Sequence, residues 1–194
     1  MARNKQFDEQ QALQAVMRLF WTKGYGATSM QDMEAATGLT RTSLYNAFGN
    51  KNRLFKQALG LYITLVQEKF QRIVEQAPTA RAAISSLLEA VIDLHFSKDS
   101  PGGCLVVLSV MESSQHDTET MAMAEAMFQA EQRMLVAILE KGKKQGELAA
   151  DFPVEGTATT FAAAASGMVV LAKAGVPAAT LSEMVRTTVR LLDR

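Results

Sequence analysis

The chain has 194 residues, of which 48% are hydrophobic and 7% aromatic, and its 20 basic residues balance 20 acidic ones. These values are typical of a soluble globular protein with one domain or two small ones, and they exclude collagenous and disordered classes. One cysteine and two histidines exclude a disulfide framework and argue against a metal site. Because the first ten residues are polar and no apolar run is long enough for a membrane span, we expect a cytoplasmic protein.

The zero net charge hides an asymmetry along the chain. Residues 1–60 hold eight basic and four acidic side chains, so this first third is positive and the remainder is equally negative. Neutralisation of phosphates supplies most of the sequence-independent affinity of proteins for nucleic acid. The charge pattern therefore favours contact of a polyanion with the N-terminal part alone.

Apolar residues recur at helical spacing along almost the whole chain, and no long stretch alternates apolar with polar residues. We therefore predict an all-α fold, with an N-terminal domain over residues 1–55 and a larger helical domain over 56–194. Capping residues, glycines and prolines predict the helix limits. The predicted helices span residues 8–23, 29–37, 40–48, 50–76, 78–96 and 104–114, then from 117 or 118 to the glycines at 142–146, about twenty residues from 153, and the end of the chain from 177.

Two short predicted helices, 29–37 and 40–48, are joined by a tight turn that contains Gly38, which is the plan of a helix-turn-helix. The inner side of the second helix is apolar, and its outer side carries no acidic residue. That outer side offers a guanidinium, a phenol, a hydroxyl and an amide, the groups that contact base edges and phosphates in a major groove. These groups belong to Arg41, Thr42, Tyr45 and Asn46.

Capped helix starts flank this predicted recognition helix. Thr28 or Ser29 begins the preceding helix, and Asn50 with Lys51 begins the following one. Helix N-termini present free N–H groups and the positive end of the helix dipole, so each start can hold a DNA phosphate. Any helical protein has capped starts, and the prediction therefore rests on the combination of both starts with the polar helix between them.

The run from Gly24 to Lys51, with its Tyr-Gly-Ala-Thr-Ser and Thr-Gly-Leu-Thr-Arg-Thr-Ser-Leu-Tyr segments, resembles the N-terminal signature of the TetR/AcrR family of bacterial transcriptional regulators. The resemblance covers about residues 8–60, although Thr42 stands where the family often has glycine. It implies a three-helix DNA-binding head and a helical body that dimerises and binds a small-molecule effector. The DNA-binding residues expected from the motif and the resemblance are Thr28, Ser29, Thr40, Arg41, Thr42, Ser43, Tyr45, Asn46 and Lys51.

Methionines are abundant in the C-terminal part, where they either fill the core or line a compliant effector pocket. We list as pocket candidates His95, Cys104, Leu108, Met111, Glu112, Met127, Met134, Phe161 and Met168. Small residues concentrate in the segment 157–174, and with the final helix they predict a two-fold homodimer interface. Packing of the same residues within one subunit is the alternative.

Cys104 has two interpretations. It follows a Pro-Gly-Gly loop and is predicted to begin an apolar helix, where free N–H groups lower the pKa of a thiol. The Gly-Cys-Leu sequence resembles a branch of the family in which a cysteine reacts with electrophiles or oxidants. The apolar neighbours instead favour a buried packing residue.

We expect a dimeric repressor that binds double-stranded operator DNA and is released by a small molecule or an electrophile. We find no motif for catalysis, a metal or a cofactor, and we expect none. The alternative is a helical small-molecule carrier or interaction module with a vestigial DNA-binding head. Salt-dependent duplex binding separates the two, because a carrier would lack it.

Overall fold

The computed structural model describes residues 8–98 and 100–193, and every regular element in these two ranges is helical. The all-α prediction is confirmed. The helices are α1 Glu9–Lys23, α2 Met30–Thr37, α3 Arg41–Phe48, α4 Lys51–Gln76, α5 Ala80–Phe96, α6 Leu105–Met111, α7 Thr118–Lys144, α8 Val154–Lys173 and α9 Ala178–Val189, with short 3-10 turns at Ser113–Gln115 and Arg190–Asp193.

Side-chain caps explain why the helix starts were predictable. Asp8, Ser29, Thr40, Asn50 and Asp117 each accept a hydrogen bond from a backbone N–H in the first turn of the following helix. Such a cap is worth about 1 kcal/mol to the helix that it begins. Local chemistry therefore sets most of these helix limits.

The helix predicted from Cys104 is shorter than expected. Cys104 has an extended backbone and stands at the N-cap position without a side-chain cap hydrogen bond, and α6 ends at Met111 rather than near residue 114. The Pro-Gly-Gly loop determines this start, since Gly102 and Gly103 both have positive φ, at 89° and 79°. Glycine is the residue that adopts such angles without strain.

Helices α1, α2 and α3 form a small head around a shared apolar core. Phe20, Met33 and Leu44, one from each helix, are each 0 to 1% exposed. The chain turns between α2 and α3 at Gly38, whose φ of 68° is left-handed. This head packs on the first half of α4, where Phe55 meets Phe20 edge to face at 4.9 Å between ring centroids.

Helices α5 to α9 pack with the rest of α4 to form the body. Helix α5 contacts α7, α8 and α9, and α7 and α8 lie side by side. The predicted boundary between residues 55 and 56 falls inside α4, which runs without a break through both parts. Head and body are therefore joined by one continuous helix.

Helix α8 has the length and apolar composition of a candidate membrane span. It packs against α5, α7 and α9, and Phe161, Ala165 and Met168 lie in the core. A core helix of a soluble protein passes the same test of length and composition. Its outer side keeps Val170 and Leu171 exposed, at 44% and 39%.

Candidate DNA-binding surface and effector cavity

The N-terminus of α3 is fixed by two side chains. The Thr40 hydroxyl accepts the Ser43 N–H at 3.2 Å, and the Glu34 carboxylate accepts the Arg41 N–H at 2.7 Å. The Thr40 and Ser43 hydroxyls also lie 3.0 Å apart. Thr40 and Ser43 therefore hold the start of the helix, and Glu34, which the sequence analysis missed, anchors it to α2.

The outer side of α3 is polar and open to solvent. Arg41, Thr42 and Asn46 are exposed, and Leu44 and Phe48 on the opposite side are buried. The Arg41 guanidinium donates to the Tyr45 hydroxyl at 3.2 Å and lies 5.3 Å from the centre of that ring. Stacking on the phenol holds the guanidinium in place, which lowers the entropy that it loses on contact with a base edge.

Ser29 and Asp32 form a capping box at the start of α2. The Asp32 N–H donates to the Ser29 hydroxyl at 3.1 Å, the Ser29 N–H donates to Asp32 at 2.8 Å, and Lys23 pairs with Asp32 at 2.6 Å. The bonds from Lys23 and Ser29 hold the pKa of Asp32 well below its usual range. The prediction that the Thr28 side chain reaches a phosphate is wrong, because this hydroxyl is buried and donates to the Gly24 carbonyl at 2.6 Å.

At the start of α4, Asn50 caps the helix and Lys51 lies above the ring of Tyr25. Its ammonium is 4.3 Å from the ring centre, and partial burial lowers the pKa of Lys51. The Asn50 side chain accepts the Arg53 N–H at 2.9 Å. The cap and the stacked lysine give this helix start a defined arrangement next to the head.

The head is also attached to the body away from α4. The Trp21 indole N–H donates to the Gly103 carbonyl at 2.9 Å, in the interior. The Glu112 carboxylate accepts the backbone N–H groups of Tyr25 and Gly26 at 2.8 and 3.2 Å. Glu112 was predicted to line an effector pocket, and the structure instead places it at this junction.

Two neighbouring spaces in the body share the lining residues Phe70, Met127 and Glu131. The first, which we call the groove, is open, has a volume of about 520 Å³ and is lined by Gln67, Glu68, Phe70, Gln71, Arg72, Met127, Ala130, Glu131 and Met134. The second, which we call the inner cavity, has a volume of about 40 Å³. Its walls include Tyr62, Val66, Phe70, Val91, Cys104, Val107, Met127, Phe128 and Glu131.

The pocket candidates divide among several places. Cys104 lines the inner cavity, Met134 lines the groove, and Met127 lines both. Phe161 faces a smaller gap beside Met134. The other candidates line neither the groove nor the inner cavity. Leu108 and Met168 are buried in the core, Met111 is 64% exposed, and His95 packs against Phe96 and Gly102.

Three titratable groups line the inner cavity, and of these only Cys104 was among the predicted pocket residues. Burial raises the pKa of the Cys104 thiol, and burial likewise raises the pKa of Glu131, to about 7. The expected lowering of the thiol pKa by a helix start is therefore wrong, because desolvation outweighs the N–H groups of α6. The Tyr62 hydroxyl is buried beside that thiol and makes no hydrogen bond of ordinary geometry with any described residue.

Two family models match the chain. The model described as "Bacterial regulatory proteins, tetR family" matches residues 12–58, and "Tetracyclin repressor-like, C-terminal domain" matches residues 80–188, more than half of the chain. The chain belongs to the TetR family. The first match covers most of α1, all of α2 and α3 and the start of α4, and the second lies in the body of this TetR-family protein.

Relatives of this TetR-family protein include repressors. The HTH-type transcriptional repressor ComR of Escherichia coli (strain K12) is 29% identical over 190 residues, which are 97% of this chain and 90% of ComR. A cysteine mutant of the TetR family transcriptional regulator CifR, complexed with 26bp double-strand operator DNA, is 32% identical, with a TM-score of 0.86 over 97% of this chain and 98% of that one. A TetR transcriptional regulator from Chloroflexus aurantiacus, 20% identical and with a TM-score of 0.86 over 95% of this chain and 93% of that one, shows the fold alone.

Proposed function

We propose that the protein is a cytoplasmic, dimeric transcriptional repressor that binds a palindromic operator and is released by a small-molecule effector. The exposed side of α3 carries this proposal, since its guanidinium, phenol, hydroxyl and amide stand on a helix fixed at its start by Thr40 and Glu34. CifR, whose structure includes operator DNA, aligns over nearly the whole chain. The proposed base contacts come from Arg41, Thr42 and Asn46, and the proposed phosphate contacts come from Ser29, Tyr45 and Lys51.

A dimer is proposed because the outer side of α8 is apolar and uncovered. Val170 and Leu171 are exposed there, and Gly167 has open space where a side chain would stand. A second copy packed on α8 and α9 would bury these residues and present two copies of α3 to the same duplex. Recognition helices of such dimers enter major grooves about one turn, or roughly 34 to 36 Å, apart.

We propose that the effector releases the operator through the contacts between the inner cavity and the head. Tyr62 and Cys104 line the inner cavity, and Trp21 of the head touches Tyr62 edge to face at 4.9 Å. Trp21 also bonds the carbonyl of Gly103, next to Cys104. A ligand that displaces these walls also displaces Trp21, because a close-packed protein interior has too little free volume to accommodate the movement locally.

The experiment begins with selection of binding sites from a random duplex library, followed by fluorescence anisotropy over a range of salt concentrations. Arg41→Ala is expected to weaken binding by roughly 1 to 3 kcal/mol and to relax sequence preference, as loss of a base contact does. Lys51→Ala is expected to weaken binding to all sequences alike and to reduce the salt slope by about one. Lys144→Ala, an exposed lysine at the end of α7, is the control.

Two outcomes would contradict this proposal. Unchanged affinity for duplex DNA in both Arg41→Ala and Lys51→Ala would contradict the assigned DNA contacts. Absence of any salt-dependent duplex binding by the wild-type protein would favour the carrier or interaction module with a vestigial head.

A further inference from the structure

One carboxylate lies on the wall shared by the groove and the inner cavity. Glu131, on α7, lines both spaces, as do Phe70 and Met127. It stands four residues after Met127 and three before Met134, on the side of α7 that faces α4. An acidic residue thus interrupts an otherwise apolar stripe where that stripe faces a space large enough for an organic molecule.

This carboxylate has no cationic partner in the described ranges. Neither lysine, arginine nor histidine lies within ion-pair distance of Glu131 anywhere in residues 8–98 and 100–193. From α4, the groove also receives Glu68 and Arg72, which pair with each other at 4.0 Å and are 58% and 62% exposed at its rim. Burial raises the pKa of Glu131 to about 7, because no nearby cation stabilises the ionised carboxylate.

The other titratable groups facing Glu131 are neutral. From α4 and from the N-cap of α6, Tyr62 and Cys104 face the inner cavity, and burial raises the pKa of both. Helices α5 and α8 contribute apolar residues and Ser166. The buried Tyr62 hydroxyl lacks an ordinary hydrogen bond to any described residue and has an acceptor lone pair to offer. Tyr62 and Glu131 can therefore both accept hydrogen bonds inside an apolar enclosure.

We propose that the groove and the inner cavity bind an organic cation, an apolar molecule with one ammonium group that pairs with Glu131. This inference rests on the proposed function, since it names the chemical class of the effector. Phe70 and Met127 cover the apolar body, and Tyr62 accepts a second hydrogen bond from the ammonium. An anionic ligand would meet an unpaired carboxylate, and a neutral ligand would leave that carboxylate without a cation, so both bind more weakly.

The test compares two probes of the same shape by isothermal titration calorimetry on the full-length protein. The cationic probe is 4-phenylbutylamine and the neutral probe is 4-phenylbutan-1-ol. At pH 8 the amine is expected to bind the wild type roughly tenfold or more tightly than the alcohol, as expected for a hydrogen bond to a charged group. Glu131→Gln is expected to remove this preference and to keep binding of the alcohol. Glu125→Gln, at an exposed carboxylate of α7 that lines neither space, is the control and is expected to retain the preference.

The pH dependence tests the same inference without a mutation. Only the ionised carboxylate attracts the ammonium, so affinity for the amine is expected to fall roughly 30-fold from pH 8.5 to pH 5.5, and affinity for the alcohol is not. Equal affinities for the two probes, a preference that survives in Glu131→Gln, or no binding of the amine would each overturn the inference.

Operator release, measured separately by anisotropy, distinguishes this inference from the proposed function. An amine that binds through Glu131 but leaves the operator bound would support the cation site and contradict effector control through it. Release of the operator by neutral compounds alone would likewise contradict effector control by a cation and leave the repressor function intact.

Discussion

Replacing Glu131 with glutamine is expected to stabilise the protein above neutral pH and to change little in acid. The carboxyl of an unstructured glutamate titrates near 4.5, and in the folded protein burial raises the pKa of Glu131 to about 7. Folding therefore favours the protonated form. The wild type loses stability as the pH rises from the unfolded pKa to the folded one, and the loss is complete above pH 7.

The magnitude follows from the difference between these two pKa values. Each pKa unit corresponds to about 1.4 kcal/mol, so at pH 8 glutamine is expected to stabilise the fold by up to about 3 kcal/mol. Below pH 4.5 both side chains are neutral in both states, and the difference disappears. Glutamine has nearly the shape of the protonated acid, which limits packing changes to a small contribution.

Urea unfolding followed by circular dichroism at pH 4.5 and at pH 8 measures this difference. The protein concentration is held constant, because a dimer unfolds with a concentration-dependent midpoint. Glu68→Gln, at the exposed rim of the groove, is the matched control for loss of one negative charge. A Glu131→Gln variant that is no more stable than the wild type at pH 8, or one that gains equally at both pH values, would refute the assignment of a desolvated carboxyl.

Three further predictions concern the junction, the interface and the thiol. Glu112→Ala is expected to lower the free energy of unfolding by roughly 1 to 2 kcal/mol in urea titrations, because the Tyr25 N–H loses its acceptor. Val170→Asp is expected to convert the proposed dimer to a monomer in light scattering after gel filtration, while Val110→Asp, at a similarly exposed valine on α6, is expected to leave it a dimer. Cys104 is expected to react with iodoacetamide at pH 8 more slowly than free cysteine, since burial raises its pKa; an equal or faster rate would contradict the burial.

The fold was predictable because its signals are local. Asp8, Ser29, Thr40 and Asn50 each bond to a backbone N–H two or three residues later, so a short window of sequence contains the whole interaction. The polar side of α3 follows from helical geometry over eight residues in the same way. For this reason the helix-turn-helix and its exposed groups could be predicted before the structure was known.

The spaces in the body were not predictable, because they depend on contacts between residues far apart in sequence. Tyr62, Cys104 and Glu131 belong to different segments and meet only when α4, α6 and α7 pack together. Met127 and Met134, two of the methionines proposed as pocket residues, line the groove, but the abundance of methionine could not separate them from the core residue Met168. One sequence signal could have indicated Glu131. It is an acidic residue between two methionines on the apolar side of a predicted helix.

Thr28 and Glu112 each form a hydrogen bond that overrides the role suggested by the residue type. Thr28 has the right residue type for a helix cap, but its hydroxyl bonds the Gly24 carbonyl and Ser29 takes the cap position. Glu112 was a pocket candidate, but its carboxylate accepts the backbone N–H of Tyr25. In both cases a hydrogen bond to a backbone group decides the position of the side chain. The partner of Thr28 is local, whereas the partner of Glu112 is 87 residues away, and the sequence contains no sign that it is near.

Trp21 lies where the DNA-binding head touches the wall of the proposed effector site. Its ring meets Tyr62, its N–H bonds Gly103, and it belongs to α1, which packs against α2 of the head. Proximity alone does not couple two sites, since a ligand that fits both arrangements of the head equally well shifts neither. A cation held by Glu131 would act as an inducer only if it pairs better when Tyr62 has moved. Affinity for the ligand must then fall when operator DNA is bound, by the same factor by which the ligand weakens DNA binding.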